Sequence, residues 1–376
     1  MRHRGTLIAL VLVAVVAIAG ARPVMRAIEA AMLLNRLAMP IESGGVDLRA
    51  VRRELVFAMA GRSYRADLYR SADEPRAALL LVPGLAPDGK DDRRLVELAD
   101  ALAQARFAVL VPDLASLREQ RVSPDNVGQI ADALRFLASD DGHIAPADRP
   151  RGIAAISYAV GPALLATLRP EIAGRIDFLV GIGGYYDVVS VVAYFTTGSY
   201  RDGPEAPWRQ GTPNEFGKWL FVRANAVNVA DLRDRTSLMA MAGRRMRNPT
   251  ADIADLAVKL GPEGRAVHAL LSNQDPDRTG ELIDALPDRL RAGLLGLDLR
   301  GRSLAGAPAK VLLIHGRDDP IIPASESQAL AAALPPEKSA LFMVDNLQHA
   351  NLRPGGWLDV WVLWRAVYRL LQIRDD

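Results

Sequence analysis

Three short stretches hold residue types that could together transfer an acyl group. They are Gly152-Ile-Ala-Ala-Ile-Ser157-Tyr-Ala-Val-Gly161, His315-Gly-Arg-Asp-Asp319-Pro-Ile-Ile-Pro323 and Asn346-Leu-Gln-His349-Ala-Asn351. A serine hydroxyl is a weak nucleophile until a base takes its proton, and an imidazole can take it. A carboxylate must then fix the imidazole tautomer and stabilise the imidazolium. Each stretch also has an ordinary structural reading. A serine between a buried strand and a helix is commonly an N-cap, paired aspartates suit a polar turn, and a lone loop histidine is usually solvated. The serine stretch departs from the G-x-S-x-G pattern of a sharp strand-to-helix turn, because Ala155 and Ala159 stand where the two glycines would be.

The elements around these stretches decide whether the three can meet. Ala77 to Val82 and Phe107 to Val111 are continuous apolar runs, each closed by a proline, and read as buried strands. Val51 to Met59 and Ser63 to Arg70 alternate and join across Ala60-Gly61-Arg62 as a hairpin. Helical patterns cover Asp91 to Ala105, Val127 to Ala138 and Val160 to Leu168. Ile153 to Ile156 and Ile176 to Ile182 complete the strands of the first half. Strands alternating with helices give a mostly parallel sheet covered on both faces, with the hairpin as an antiparallel edge.

The alternation stops at Gly184 and resumes near Leu304. Between them, helical segments are expected at Tyr185–Phe195, Phe216–Leu232, Ser237–Met246, Ile253–Leu260, Arg265–Ser272 and Glu281–Leu295, with an aromatic loop from Tyr194 to Pro213. About 120 inserted residues of this kind read as a cap or as a second helical domain. The sheet pattern returns with Lys310–His315, a helix at Ser325–Ala333, a strand at Ala340–Val344 and a last helix at Trp357–Ile373. Ser157, Asp319 and His349 therefore each follow a strand of one sheet, at the C-terminal ends where open α/β sheets place their sites.

Bulk properties exclude several classes. The 376 residues are half hydrophobic and carry a formal charge of +2, with no basic stripe to hold a nucleic acid. Without cysteine there is no disulfide, thiolate metal site or cysteine nucleophile. His3, His143, His268 and His315 show no ligand spacing, so no metal is indicated. Gly181-Ile-Gly-Gly184 is only a fragment of a dinucleotide loop, and no G-x-G-x-x-G follows the first parallel strand. No cofactor is expected.

The order serine, aspartate, histidine on successive strand ends resembles the α/β-hydrolase superfamily, specifically serine esterases and lipases with a helical cap. The resemblance rests on Leu80-Leu-Val-Pro-Gly84, the Ser157 turn, His315-Gly-x-x-Asp319-x-x-x-Pro323 and the loop of His349. It implies an α/β-hydrolase fold with Ser157 as nucleophile, His349 as base and Asp319 as acid. It further implies that the N–H groups of Leu85, after Gly84, and of Tyr158, after Ser157, bind the oxyanion. The family spacing selects Asp319 over Asp318, Asp187 is an alternative acid after the preceding strand, and His315 becomes a structural strand-end residue. The expected reaction is cleavage of an ester, with an apolar group held by the cap. Alternatives are an amidase or peptidase on the same residues and a non-catalytic binding protein of the same fold.

The N-terminus carries an address. Arg2 and Arg4 precede an apolar run from Thr6 to Ala21, which suits a signal anchor or a cleavable signal. As a helix it would be roughly 24 Å long, slightly short of a bilayer core of about 30 Å. The expectation is an uncleaved membrane anchor with the catalytic part outside the cytoplasm (periplasmic in a Gram-negative cell), or a secreted chain if the signal is cleaved. Val24 to Met39 reads as an amphipathic helix and Pro40 to Gly45 as a linker. The expected organisation is an anchor at 1–21, a helical linker at 22–45, core at 46–183, cap at 184–304 and core again at 305–376.

Overall fold

The computed structural model of the protein describes residues 21–37, 49–139, 143–203, 205–345 and 356–376. His349 lies outside the described residues, as do the linker Pro40 to Gly45 and all but the last residue of the run Thr6 to Ala21. Among the described residues no helix is long and apolar enough to cross a membrane.

A helix over residues 21–37 (α1) is followed by the hairpin Val51–Met59 (β1) and Arg62–Arg70 (β2). The core then alternates: Ala77–Val82 (β3), Arg93–Gln104 (α2), Phe107–Pro112 (β4), the short Ala115–Arg118 (α3), Asp125–Leu137 (α4), Arg151–Ile156 (β5), Val160–Thr167 (α5) and Phe178–Ile182 (β6). The insertion holds Val188–Thr197 (α6), a two-residue ladder of Ser199–Tyr200 (β7) with Arg209–Gln210 (β8), Glu215–Asn225 (α7), Leu232–Arg247 (α8), Ala254–Ala257 (α9), Pro262–Leu271 (α10), Thr279–Asp284 (α11) and Asp288–Leu295 (α12). Lys310–Gly316 (β9), Ser325–Ala333 (α13), Ser339–Val344 (β10) and Trp357–Asp375 (α14) close the core.

The sheet has eight strands in the order β1-β2-β4-β3-β5-β6-β9-β10. Only β2 runs against its neighbours; the pairs from β4 to β10 are all parallel. With the helical insertion between β6 and β9, this is the α/β-hydrolase fold expected from the sequence. Period-two alternation sorts the buried strands between two layers. Ala77, Leu79 and Leu81 pack with α1, α2 and α14, whereas Ala78, Leu80 and Val82 pack with α4 and α5. Asp92 caps α2 by accepting from the N–H groups of Arg94 and Leu95, the role a residue of its type is expected to play at a helix start.

The cap departs in detail from the helices expected there. Phe216–Leu232 is not one helix: α7 ends at Asn225, Val229 is extended, and Asp231 starts α8 by accepting from the N–H groups of Arg233 and Asp234. Glu281–Leu295 is broken at Pro287, whose ring cannot sit in a helix interior. Conversely, Pro262 opens α10 at the first helical position, where its missing N–H costs nothing.

Candidate active site

The strand order brings residues distant in sequence to one point. From β3 the chain crosses to β4 on one side and returns to β5 on the other, so the crevice between the ends of β3 and β5 is a topological switch point. Val82 is paired with Ala155, so the next residues, Pro83-Gly84-Leu85 and Ile156-Ser157-Tyr158, leave the sheet side by side. A Cβ on Gly84 would stand 3.3 Å from the Cβ and 3.8 Å from the Oγ of Ser157. No larger residue fits there without moving the serine.

Ser157 itself has φ of 56°. For a residue with a side chain this left-handed backbone costs about 1–2 kcal/mol, and such strain is found where a side chain must be held in a set direction. The strand ends at Ile156, a single 3₁₀ turn covers Ser157–Ala159, and α5 begins at once. The N–H of Tyr158 lies in the first turn of this helical segment, where amide donors have no intrahelical partner.

The alanines at 155 and 159 are accommodated because the room is made elsewhere. Both are completely buried. Ala155 is paired with Gly181 in β6. A Cβ on Gly181 or Gly184 would lie 2.9 Å or 2.6 Å from Val160, the first residue of α5. Close approach of helix to sheet is thus supplied by Gly181 and Gly184, in and after the neighbouring strand, and not by the residues flanking the serine.

The loop that carries Leu85 is held from two sides. The N–H of Ala86 donates to the carbonyl of Gly84 at 2.9 Å, which fixes the plane of the Gly84–Leu85 peptide and hence the direction of the Leu85 N–H. Gln120 Nε2 donates to the Leu85 carbonyl at 3.3 Å, from a residue that is itself left-handed with φ of 56°. Tyr158 is tied down by its hydroxyl, which donates to Asn126 Oδ1 at 2.7 Å and accepts from the N–H of Ser123 at 3.3 Å. Burial pushes the phenol of Tyr158 far above its usual range, so it stays protonated and acts as a wall.

Asp319 follows β9 and is 3% exposed, whereas Asp318 is exposed. Its Oδ1 accepts from the N–H groups of Ile321 at 2.8 Å and Ile322 at 3.1 Å. The other oxygen, Oδ2, lies 3.5 Å from His315 Nε2, and a Cβ on Gly183, just past the end of β6, would stand 3.5 Å from it. His315 is fully buried and its role is positional. The carbonyl of Ile322 can only accept, so Nε2 donates to it at 2.9 Å, and Nδ1 meets Ser327 Oγ at 2.7 Å. Tyr194 of the cap donates to the Asp319 carbonyl at 3.2 Å, and burial pushes its phenol up to about 12.

Asp187 is otherwise engaged. It caps α6, with Oδ1 accepting from the N–H groups of Val189 and Ser190, and its Oδ2 is 2.9 Å from Arg300. Glu326, on α13, is a buried carboxylate for which the sequence offers no signal beyond its type. Its Oε2 accepts from the N–H groups of Tyr186 at 2.9 Å and Asp187 at 2.8 Å, pinning the junction where β6 gives way to the cap. Burial raises its pKa to about 7, against the lowering effect of these hydrogen bonds and one from Ser190.

Ser157 lines a cavity together with Leu85 and Tyr158, Val192 and Phe195 of α6 and Leu220 and Phe221 of α7; the cavity runs on to charged residues of α1 and α2 such as Arg36, Arg94 and Asp100. The sequence marks those of α6 and α7 as apolar cap residues, but not as neighbours of the serine. Gln120 was equally hidden, since its partner is a backbone carbonyl.

No family model matches the chain, and no curated protein matches it. Solved structures similar to it include an esterase of Pyrobaculum calidifontis, 13% identical over 95% of this chain and 92% of that one, with a TM-score of 0.48. A lipase in an open form is 15% identical over 87% of this chain and 100% of that one, with a TM-score of 0.48. An acylaminoacyl peptidase of Pyrococcus horikoshii is 10% identical over 86% of this chain, which spans 40% of the peptidase's length, with a TM-score of 0.46. All three scores lie below 0.5.

Proposed function

We propose that the protein is a serine hydrolase that cleaves carboxylic esters with an apolar acyl or alcohol group. The observation that carries this reading is the left-handed Ser157 set against Gly84 at the switch point of the sheet, in a cavity that apolar residues of α6 and α7 also line. A binding protein has no use for a strained serine in that position, whereas a nucleophile must be held in one direction.

In this reading Ser157 Oγ attacks the ester carbonyl carbon while His349 takes the hydroxyl proton. The carbonyl oxygen becomes an oxyanion bound by the N–H groups of Leu85 and Tyr158. Collapse breaks the bond to the alcohol, which leaves with the proton from His349, and an acyl group remains on Ser157. Water, deprotonated by His349, then attacks the acyl carbon; collapse releases the acid and returns the proton to Ser157. The backbone N–H groups of Ile321 and Ile322 hold Asp319 through Oδ1, and in this reading Oδ2 is the oxygen that would accept from the imidazole.

The test is a series of p-nitrophenyl esters of rising acyl length. Each methylene buried in the cavity is worth about 0.8 kcal/mol, so kcat/KM is expected to rise about fourfold per CH₂ until its apolar part is filled. A steady fall from acetate onward would contradict the apolar acyl site. Faster turnover of the matching anilide than of the ester would make the enzyme an amidase.

A further inference from the structure

Helices α1 and α14 pack on one layer of the sheet and the cap helices on the other. Sixteen large hydrophobic residues are exposed among the described residues, and eight of them lie on α1 and α14 alone. Such a concentration is a patch and not the scatter normal for a protein surface. Val24, Ile28 and Met32 are spaced four apart and form one stripe on α1, with Met25 beside it, each about half exposed or more. On α14 the exposed residues are Trp357, Leu358, Val360 and Trp361, with Trp357 77% exposed.

The two helices form one surface. Trp364 Nε1 donates to the Ala27 carbonyl at 3.1 Å, and Trp361 is stacked on Trp364 with ring centroids 5.0 Å apart. A shallow groove between them is lined by Ala31, Leu34, Trp357 and Trp361. Arg22 and Arg365 stand exposed on the same two helices. Glu29 and Asp375 are neutralised within the protein, by Arg374 at 2.7 Å and by Arg26 at 3.1 Å.

We propose that this α1–α14 face lies on the surface of a phospholipid bilayer, with Trp357 and Trp361 among the headgroups. Continuity with the preceding sequence argues for lipid as the occupant. The uncharged run Thr6 to Ala21, preceded by Arg2 and Arg4, leads directly into α1. Taken as a helix, that run is too short to span a bilayer core comfortably. The stripe Val24, Ile28, Met32 extends the apolar surface along one side only, as a helix does when it leaves the hydrocarbon and lies in the interface. Indole rings suit that zone, having an apolar body and one N–H donor, and exposed arginines suit anionic headgroups.

The full-length protein, reconstituted into vesicles of phosphatidylcholine and phosphatidylglycerol with brominated acyl chains, provides the test. The chain has five tryptophans, of which Trp219 is buried and Trp208 is bound to Asp277 in the cap. Bromine is expected to quench the emission of the native chain, and the quenched fraction is expected to fall by more than half in Trp357→Phe/Trp361→Phe. Both positions are exposed, so thermal unfolding of this variant should match the native chain. Failure of the protein to associate with vesicles would overturn the proposal. So would unquenched emission of vesicle-bound protein, or a quenched fraction undiminished in the double variant, in which Trp364 alone remains on this face. A dimer that sedimentation detects in the native chain and that Trp361→Asp dissociates would instead assign the face to a second copy.

Discussion

Replacing Asp319 by asparagine separates position from charge at one atom. Two backbone N–H groups, from Ile321 and Ile322, point at Oδ1, so the amide oxygen of the asparagine side chain must take that place. The NH₂ group is then forced into the position of Oδ2, presenting a donor where the proposed triad needs an acceptor for the imidazole of His349. In that triad the base would be left in the wrong tautomer. In a serine-protease triad this change costs about 10⁴-fold in turnover, equivalent to about 5 kcal/mol in the barrier. Stability should change little, because both backbone donors keep an acceptor; Asp319→Ala, by contrast, would orphan the buried N–H of Ile322, at about 1–3 kcal/mol, and the half-buried N–H of Ile321. Initial rates on a p-nitrophenyl ester, with a thermal melt of each variant, measure both quantities. Asp318→Asn, at an exposed position, should cost at most a few-fold. Near-native turnover of Asp319→Asn would refute the reasoning, and a large loss confined to Asp318→Asn would move the acid by one residue. If neither mattered, Asp187 would have to give up Arg300 and the α6 cap to serve.

Ser157→Gly should abolish turnover yet raise the unfolding free energy by about 0.5–1 kcal/mol, since glycine relieves the left-handed backbone at some cost in unfolded-state entropy; denaturant melts that show a loss would mean the turn is unstrained. Glu326 has its pKa raised from 4.5 to about 7 when folded, so the folded state holds a proton that the unfolded chain releases. Its contribution to stability is therefore fully present below about 4.5 and is lost as pH rises through about 7, a change of about 3 kcal/mol at most. Glu326→Gln keeps an acceptor for Tyr186 and Asp187 and should flatten that part of the stability–pH curve; an unchanged slope would assign it to other groups.

What the sequence reveals follows from which interactions are local. Ala77–Val82, Phe107–Pro112 and Lys310–Gly316 are legible as strands because burial on both faces leaves almost no polar residue in them. Asp319 stands out because a carboxylate directly after such a strand must lie at a sheet end. The pairing of Gly84 with Ser157 is not legible in the same way, because it depends on β3 and β5 being neighbours across some 70 residues of chain. Gln120 and Glu326 act on backbone atoms, which carry no sequence signature at the receiving end. In the cap, helix breaks at Val229 and Pro287 are local events overridden in the sequence by a helical run of apolar residues on both sides.

Ser157 is the residue on which the hydrolase reading rests, and labelling by a fluorophosphonate probe measures its reactivity without assuming a substrate. Alanine bears the same left-handed backbone cost as serine, so Ser157→Ala should fold as the native chain does. The native protein is expected to be labelled and to turn over p-nitrophenyl esters, and Ser157→Ala to do neither. Ester turnover at the native rate by the folded Ser157→Ala protein would contradict the assignment of the nucleophile and the serine-hydrolase reading with it.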